Sequence, residues 1–145
     1  MRRITYIVIH CTAGSAQQKT EDIITYWKRK LGWKTVGYHK LISFDGIVET
    51  LASDETVTNG VRGHNHHSIH ICYKGGWNSQ DTRTQEQKTA LLNVISQYKK
   101  KYPDAIVLGH RDLSIDKNKD GKITQNEWVK ICPCFDARNE YKNIK

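Results

Sequence analysis

The sequence predicts an α/β fold: a single domain with a central mixed β-sheet flanked by helices. Three observations predict it. Two short, dense apolar runs, Tyr6–Ile9 and Ala105–Leu108, have the length and character of buried strands. Two longer segments repeat their apolar residues at helical spacing, and each ends in a basic cluster. The predicted order is β-α-β-β-β-α-β plus a tail, an alternation that builds sheets with helices on their faces.

The first strand covers residues 4–11. Alternation puts Tyr6, Val8 and His10 on one face and Ile7, Ile9 and Cys11 on the other. Thr20 is the expected N-cap of the first helix, with Glu21 and Asp22 favourable in its first turn. Ile23, Ile24, Trp27 and Leu31 recur along one helical face, and Gly32 is a stop signal. Tyr38–Phe44 and Ile47–Leu51 flank Asp45-Gly46, the signature of a hairpin closed by a type I′ turn. Ser68–Tyr73 is a further strand, closed by Gly75-Gly76. Thr84 and Gln87 form a capping box, and Leu91, Val94, Ile95 and Tyr98 follow at i, i+3, i+4 and i+7. Lys99–Lys101 suit the end of that helix, Pro103 forbids its continuation, and Ala105–Leu108 runs into Gly109-His110.

The chain has 145 residues, enough to bury one core without disulfide staples. Lys and Arg number 23 against 15 Asp and Glu, a net charge of +8, which favours polyanionic partners such as nucleic acid, anionic lipid or bacterial cell wall. No apolar run approaches the roughly 20 residues of a membrane-spanning helix, so no membrane insertion is expected. The apolar part of the amino terminus is four residues, short of the roughly 7–15 of a secretory leader. Synthesis in the cytoplasm without a Sec signal is the expectation. The four cysteines are Cys11, Cys72, Cys132 and Cys134. In that compartment disulfides are the less expected use, and Cys72 reads as a small buried hydrophobe.

The chemistry begins with two histidines in matching contexts, His10 and His110, each just past a buried strand. If those strands are parallel neighbours, both imidazoles emerge at the same sheet edge, where α/β folds bind ligands. Either one alone would read as a hydrogen-bonded strand terminus. Together with the downstream Cys-Pro-Cys segment they point to a metal. Two imidazoles and one thiolate are a good zinc set, and three protein ligands leave a fourth position open, as in catalytic rather than structural sites.

Several separate motifs occur in order: Ile7-Val-Ile-His-Cys-Thr-Ala13, Trp27 through Gly32-Trp33, Val36-Gly-Tyr-His39, Asn65-His-His-Ser-Ile69, Ile71-Cys72 and Lys130-Ile-Cys-Pro-Cys-Phe-Asp136. In these the chain resembles the zinc-dependent N-acetylmuramoyl-L-alanine amidases, the group of the phage amidase-type lysozymes and peptidoglycan recognition proteins, over roughly residues 4–138. The resemblance implies His10, His110 and Cys132 as zinc ligands and Tyr38 and Lys130 as catalytic residues. It implies zinc-assisted hydrolysis of the amide joining N-acetylmuramic acid to L-alanine in peptidoglycan, as in an endolysin-like cell-wall hydrolase. Spacing alone selects neither Tyr38, which reads as a packed strand tyrosine, nor Lys130, which reads as a solvated lysine. The resemblance places His66 at the border of the substrate groove. It leaves His64, His67 and His70 as structural or solvent-facing, with His70 the hardest to assign, and relatives often carry histidine where Gly60 stands.

Between His110 and Cys132 lies Asp116-Lys-Asn118-Lys-Asp120-Gly121-Lys122-Ile-Thr124-Gln-Asn-Glu127. It fits the EF-hand-like calcium-loop pattern at every defined position. The expected oxygen ligands are Asp116, Asn118, Asp120, the Lys122 carbonyl, Thr124 and a bidentate Glu127, with Gly121 at the sharp turn. The alternative is a lysine-rich surface loop with an Asp-Gly turn. The expectation is thus one zinc amidase domain over 1–145 with a loop insertion at 116–127, holding Zn2+ and a structural Ca2+. It acts as a monomer on peptidoglycan, after release or delivery to the wall, with no nucleic-acid partner. A non-catalytic peptidoglycan-binding module is the first alternative; a metal-dependent nuclease, suggested by the charge and the His64-Asn-His66 string, is the second.

Overall fold

The computed structural model describes residues 1–145. Its strands are β1 (Tyr6–Cys11), β2 (Lys40–Ile42), β3 (Val48–Thr50), β4 (Ser68–Tyr73) and β5 (Ile106–Gly109); its helices are α1 (Thr20–Arg29), α2 (Gln85–Lys101) and α3 (Ala137–Tyr141). One five-stranded sheet runs in the order β3-β2-β4-β1-β5. Strand β1 is parallel to both β4 and β5, β2 is parallel to β4, and only the β2–β3 pair is antiparallel. The sheet is therefore mixed, and the two histidine-bearing strands are parallel neighbours.

The two sheet faces carry different loads. Ile7, Ile9, Ile69, Ile71, Tyr73 and Val107 pack with Leu91, Val94, Ile95 and Tyr98 of α2 in the main core. On the other face Leu41 and Cys72 pack with Ile23 and Trp27 of α1. Cys72 is fully buried there, as a small hydrophobe. Register pairs His10 with Cys72 and Val8 with His70, so the polar row His10 and His70 shares the α1 face. Asp22, Ile23, Tyr26 and Trp27 of α1 line one side of the cleft beside this face.

Several boundaries differ from the sequence expectation. Thr20 does not cap α1: the N-cap is Lys19, and the Thr20 hydroxyl instead donates to Glu49. The helix ends at Arg29, two residues before Leu31, which is exposed. The β2–β3 hairpin forms, but its connection spans Ser43–Ile47 and only Gly46 has positive φ, at 87°. A type I′ turn needs positive φ at both central residues, and Asp45 does not supply it. The capping box at Thr84 and Gln87 is present in full. The tail forms the short helix α3, capped by Asp136 accepting from Asn139 N–H at 3.1 Å. Five residues are too few for a periodic apolar signal.

Candidate active site

His10 lies within β1 rather than beyond it, and is 1% exposed. His110 opens a 3-10 turn directly after β5. Because β1 and β5 are adjacent and parallel, the two rings meet edge to face with centroids 5.0 Å apart. Cys132 arrives from the irregular carboxyl-terminal segment. Its Sγ accepts the Cys11 backbone N–H at 3.1 Å and lies 3.9 Å from His10 Nδ1. One donor atom from each of His10, His110 and Cys132 falls within 4.8 Å of the other two. A tetrahedral zinc with bonds of about 2.0–2.3 Å spaces its donors roughly 3.5 Å apart, so this trio is close to the required dimension.

The electrostatics suit a cation as well. Burial holds the His10 imidazole well below its usual pKa, and His110 and Lys130 add to the effect. Burial, with Lys130 in support, pushes His110 down to about 4. Both rings are neutral at pH 7 and keep a lone pair for a ligand.

Tyr38 stands just before β2, with its ring 4.9 Å from that of His10 and 5.3 Å from Trp27. Trp27 in turn stacks on Trp33 at 6.0 Å. Gly37 makes this wall possible: a Cβ there would lie 3.0 Å from the Trp27 ring and 3.2 Å from that of Trp33. Burial raises the Tyr38 phenol well above its ordinary pKa, so it is protonated at neutral pH. Tyr38, Trp27, Trp33, His110, Lys130 and Cys132 all line one cleft of about 560 Å3. A second hollow of about 920 Å3 shares Trp33, Gly60, His110 and Lys130 with it and extends past His66. The structure thus brings together all five zinc-site and catalytic candidates and places His66 on the adjoining wall.

One residue lies closer to the site than the sequence indicates. His70 is fully buried, and its Nδ1 is 2.9 Å from His10 Nε2. The expectation of a structural or solvent-facing group captured neither its depth nor its partner. Alternation did place it on the His10 face, and that was the available signal.

The loop 116–127 is folded around its own polar groups. Asp116 Oδ2 accepts from Gly121 N–H at 2.8 Å, and Asp120 Oδ1 accepts from Lys122 N–H at 2.9 Å. The Glu127 carboxylate accepts from the N–H groups of Thr124, Lys117 and Asn118 and from the Thr124 hydroxyl. These amides, Thr124 first, hold its pKa below the usual range. Carboxylate oxygens of Asp116, Asp120 and Glu127 lie within 4.8 Å of one another. The loop follows the 3-10 turn His110–Leu113 and ends in a second one, Gln125–Glu127, without the paired helices of an EF-hand.

A mixed α/β sheet with two imidazoles and a cysteine sulfur converging beside an aromatic-walled cleft has a donor set that could hold a metal ion. Comparison with known proteins gives the family. Residues 1–127 match the N-acetylmuramoyl-L-alanine amidase family, and the chain belongs to it. The endolysin of Enterobacteria phage K11 is 30% identical over 142 residues, covering 92% of this chain and 83% of the phage protein. An uncharacterised protein of Haemophilus influenzae is 40% identical over 97 residues, 64% of this chain and 84% of its own. Among solved structures, the endolysin of the Thermus scotoductus bacteriophage Ph2119 superposes with a TM-score of 0.73 at 27% identity, covering 92% of this chain and 79% of that one. The chain is a peptidoglycan amidase, cleaving the bond between N-acetylmuramic acid and L-alanine. The family match ends before Lys130 and Cys132, whereas the K11 similarity spans nearly the whole chain. No helix is long and apolar enough to cross a membrane.

Proposed function

We propose that this amidase is zinc-dependent, with His10, His110 and Cys132 as the protein ligands. The observation that carries the reading is the convergence of those three donors at the head of the cleft, within 4.8 Å of one another. The donor chemistry fits zinc: two neutral imidazoles and a sulfur, with the cleft on the remaining side. Bound there, zinc supplies Lewis acidity and lowers the pKa of water toward neutrality.

The chain's own residues then take defined parts. The Lys130 ammonium, exposed at the rim of both hollows, donates to the negative oxygen that develops as the amide carbonyl becomes tetrahedral. Tyr38 keeps its proton and orients a hydrogen-bonding partner beside His10. Trp27 and Trp33 give the cleft an apolar wall that excludes water and packs against substrate. His66 borders the extended hollow, where the rest of the wall fragment lies. The net charge of +8 draws the protein to anionic wall polymer. The protein works as a monomeric domain spanning residues 1–145, on peptidoglycan rather than nucleic acid, and meets the wall after release or delivery from the cytoplasm.

The loop 116–127 is a calcium strut in this reading. Asp116 Oδ1 is sealed from solvent and receives no hydrogen bond, as expected of an oxygen aimed at a cation. Glu127 already holds four hydrogen bonds, so ligation exchanges part of them for the ion. The three lysines at 117, 119 and 122 keep the affinity modest.

The test is elemental analysis of the purified protein followed by product identification from digested wall. One zinc per chain and new amino-terminal alanine support the reading. Wall bound but uncut, with full zinc, supports the binding module. Nicked plasmid with intact wall supports the nuclease.

A further inference from the structure

We propose that His70 and Asn65 are positioning residues for the amidase reaction, a relay behind His10 that dictates which of its ring nitrogens faces the metal. The inference rests on the zinc reading of the His10 site and deepens it.

The argument starts at the far end of the relay. The Val61 backbone N–H reaches the Asn65 side chain at 2.8 Å, and a donor there requires the amide oxygen, Oδ1. The same Oδ1 is 2.9 Å from His70 Nε2. An amide oxygen only accepts, so His70 Nε2 carries the hydrogen. A neutral imidazole carries one ring hydrogen, and with that hydrogen on Nε2 the Nδ1 of His70 is bare. That bare nitrogen is 2.9 Å from His10 Nε2, which must therefore be the donor. His10 is then an Nε2–H imidazole, with its remaining lone pair on Nδ1. Nδ1 is the atom that faces Cys132 Sγ at 3.9 Å. Each step follows from the one before, and the chain ends on the nitrogen that the metal needs.

The surroundings hold the relay in place. A Cβ at Gly60 would lie 2.3 Å from the His70 ring, so only glycine lets the backbone close over that face. The His39 ring stacks on His70 with centroids 6.0 Å apart and an interplanar angle of 15°. His39 accepts the His70 backbone N–H on Nδ1 at 3.0 Å and donates from Nε2 to the Thr56 carbonyl at 2.8 Å. His39 therefore has no ring hydrogen bond to offer that would compete with Asn65. A histidine that only filled space over Gly60 would need no acceptor at Asn65 and no partner at His10.

Metal-ligating histidines are tuned by what their second nitrogen meets, and loss of such a partner costs about ten- to hundredfold in metal affinity. The experiment uses metal-free full-length protein and four forms: wild type, Asn65→Leu, Asn65→Asp and His70→Leu. Nitrogen NMR of the apoprotein reads the tautomers, and chelator competition reads zinc affinity. Apoprotein melting shows whether each variant folds. In wild type, His10 shows a protonated Nε2 and a bare Nδ1. Zinc affinity falls about ten- to hundredfold in Asn65→Leu and His70→Leu. It stays close to wild type in Asn65→Asp, which keeps the acceptor. A wild-type His10 protonated at Nδ1 overturns the relay without recourse to any variant. Unchanged affinity in both leucine variants, or equal loss in Asn65→Asp and Asn65→Leu, also overturns it. Wild-type protein that takes up no zinc overturns the zinc reading instead, even if the tautomers are as described.

Discussion

The candidate active site is made of two unlike halves. His10, Tyr38 and His70 stand on or beside the central strands, and His10 and His70 are at most 1% exposed. Lys130 and Cys132 belong to the stretch between Ser114 and α3, which holds no strand and no α-helix, whereas His110 directly follows β5. The first half is positioned by sheet register, which fixes each side chain to within a residue. The second is positioned by a few specific tethers. The Cys11 N–H meets Cys132 Sγ, the Arg111 N–H meets the Cys132 carbonyl at 2.9 Å, and the Tyr73 hydroxyl donates to the Pro133 carbonyl at 2.6 Å. The lesson is that the proposed zinc would do structural as well as chemical work, because its bonds would add to these tethers.

The largest effect tests the bridge itself. Cys132→Ser removes the only ligand from the irregular half, and wall hydrolysis should fall by about a thousandfold or more, with loss of bound zinc. A variant that retains both zinc and activity would make the sheet half sufficient. Lys130→Ala leaves the ligands in place. It should lower kcat by about a hundred- to a thousandfold, the usual cost of losing one oxyanion donor, at unchanged zinc content.

Acid should strike the sheet half first. Burial keeps His10, His70 and His39 below the ordinary 6.5 and His110 near 4 in the folded, metal-free chain. The unfolded chain takes up protons at about 6.5, so it binds more of them than the folded chain as pH falls below that value. Stability is therefore full above about 6.5 and declines below it, each histidine costing up to about 1.4 kcal/mol per pH unit. Denaturant midpoints of EDTA-treated protein between pH 7.5 and 5 check this; a flat profile would mean that the imidazoles titrate freely.

Arg83 tests how the irregular half is anchored where it ends. Its side chain is 3% exposed, lies 3.3 Å over the Phe135 ring and bridges Asp81 and Glu140 at 2.9 and 2.8 Å. Both carboxylates are held below their usual pKa, chiefly through Arg83 against a burial effect of opposite sign. They are a third or more exposed, so water screens part of the attraction. Arg83→Ala should cost about 2 kcal/mol of stability, read by denaturant melt, while zinc affinity changes little. The smallest effect is calcium. At ten times its Kd the ion adds about 1.4 kcal/mol. Chelating calcium while keeping zinc should lower the melting temperature, and Glu127→Ala should abolish the difference.

Legibility in the sequence divides along the same line. Strands and helices with dense apolar runs were readable: β4 is predicted to the residue, and α2 through its capping box. The parallel pairing that unites His10 and His110 is only a condition in the sequence; strand register supplies it. Tyr38 and Lys130 were visible only through resemblance, because a tyrosine before a short strand and a lysine in a polar loop carry no periodic signal. Thr20 was misread as a cap because its hydroxyl had a tertiary partner, Glu49, that no local pattern reveals. Of the two places left open for His70, structural or solvent-facing, the first holds, but its partners were not legible for a related reason. Its meaning lies in hydrogen bonds to residues 60 positions before it in His10 and 5 before it in Asn65.

X-ray absorption at the zinc edge of the metal-loaded protein tests the bridging site most directly. Two nitrogen scatterers at about 2.0–2.1 Å and one sulfur at about 2.3 Å are predicted. A shell without sulfur, or one with two or more sulfurs, would contradict the His10, His110 and Cys132 assignment.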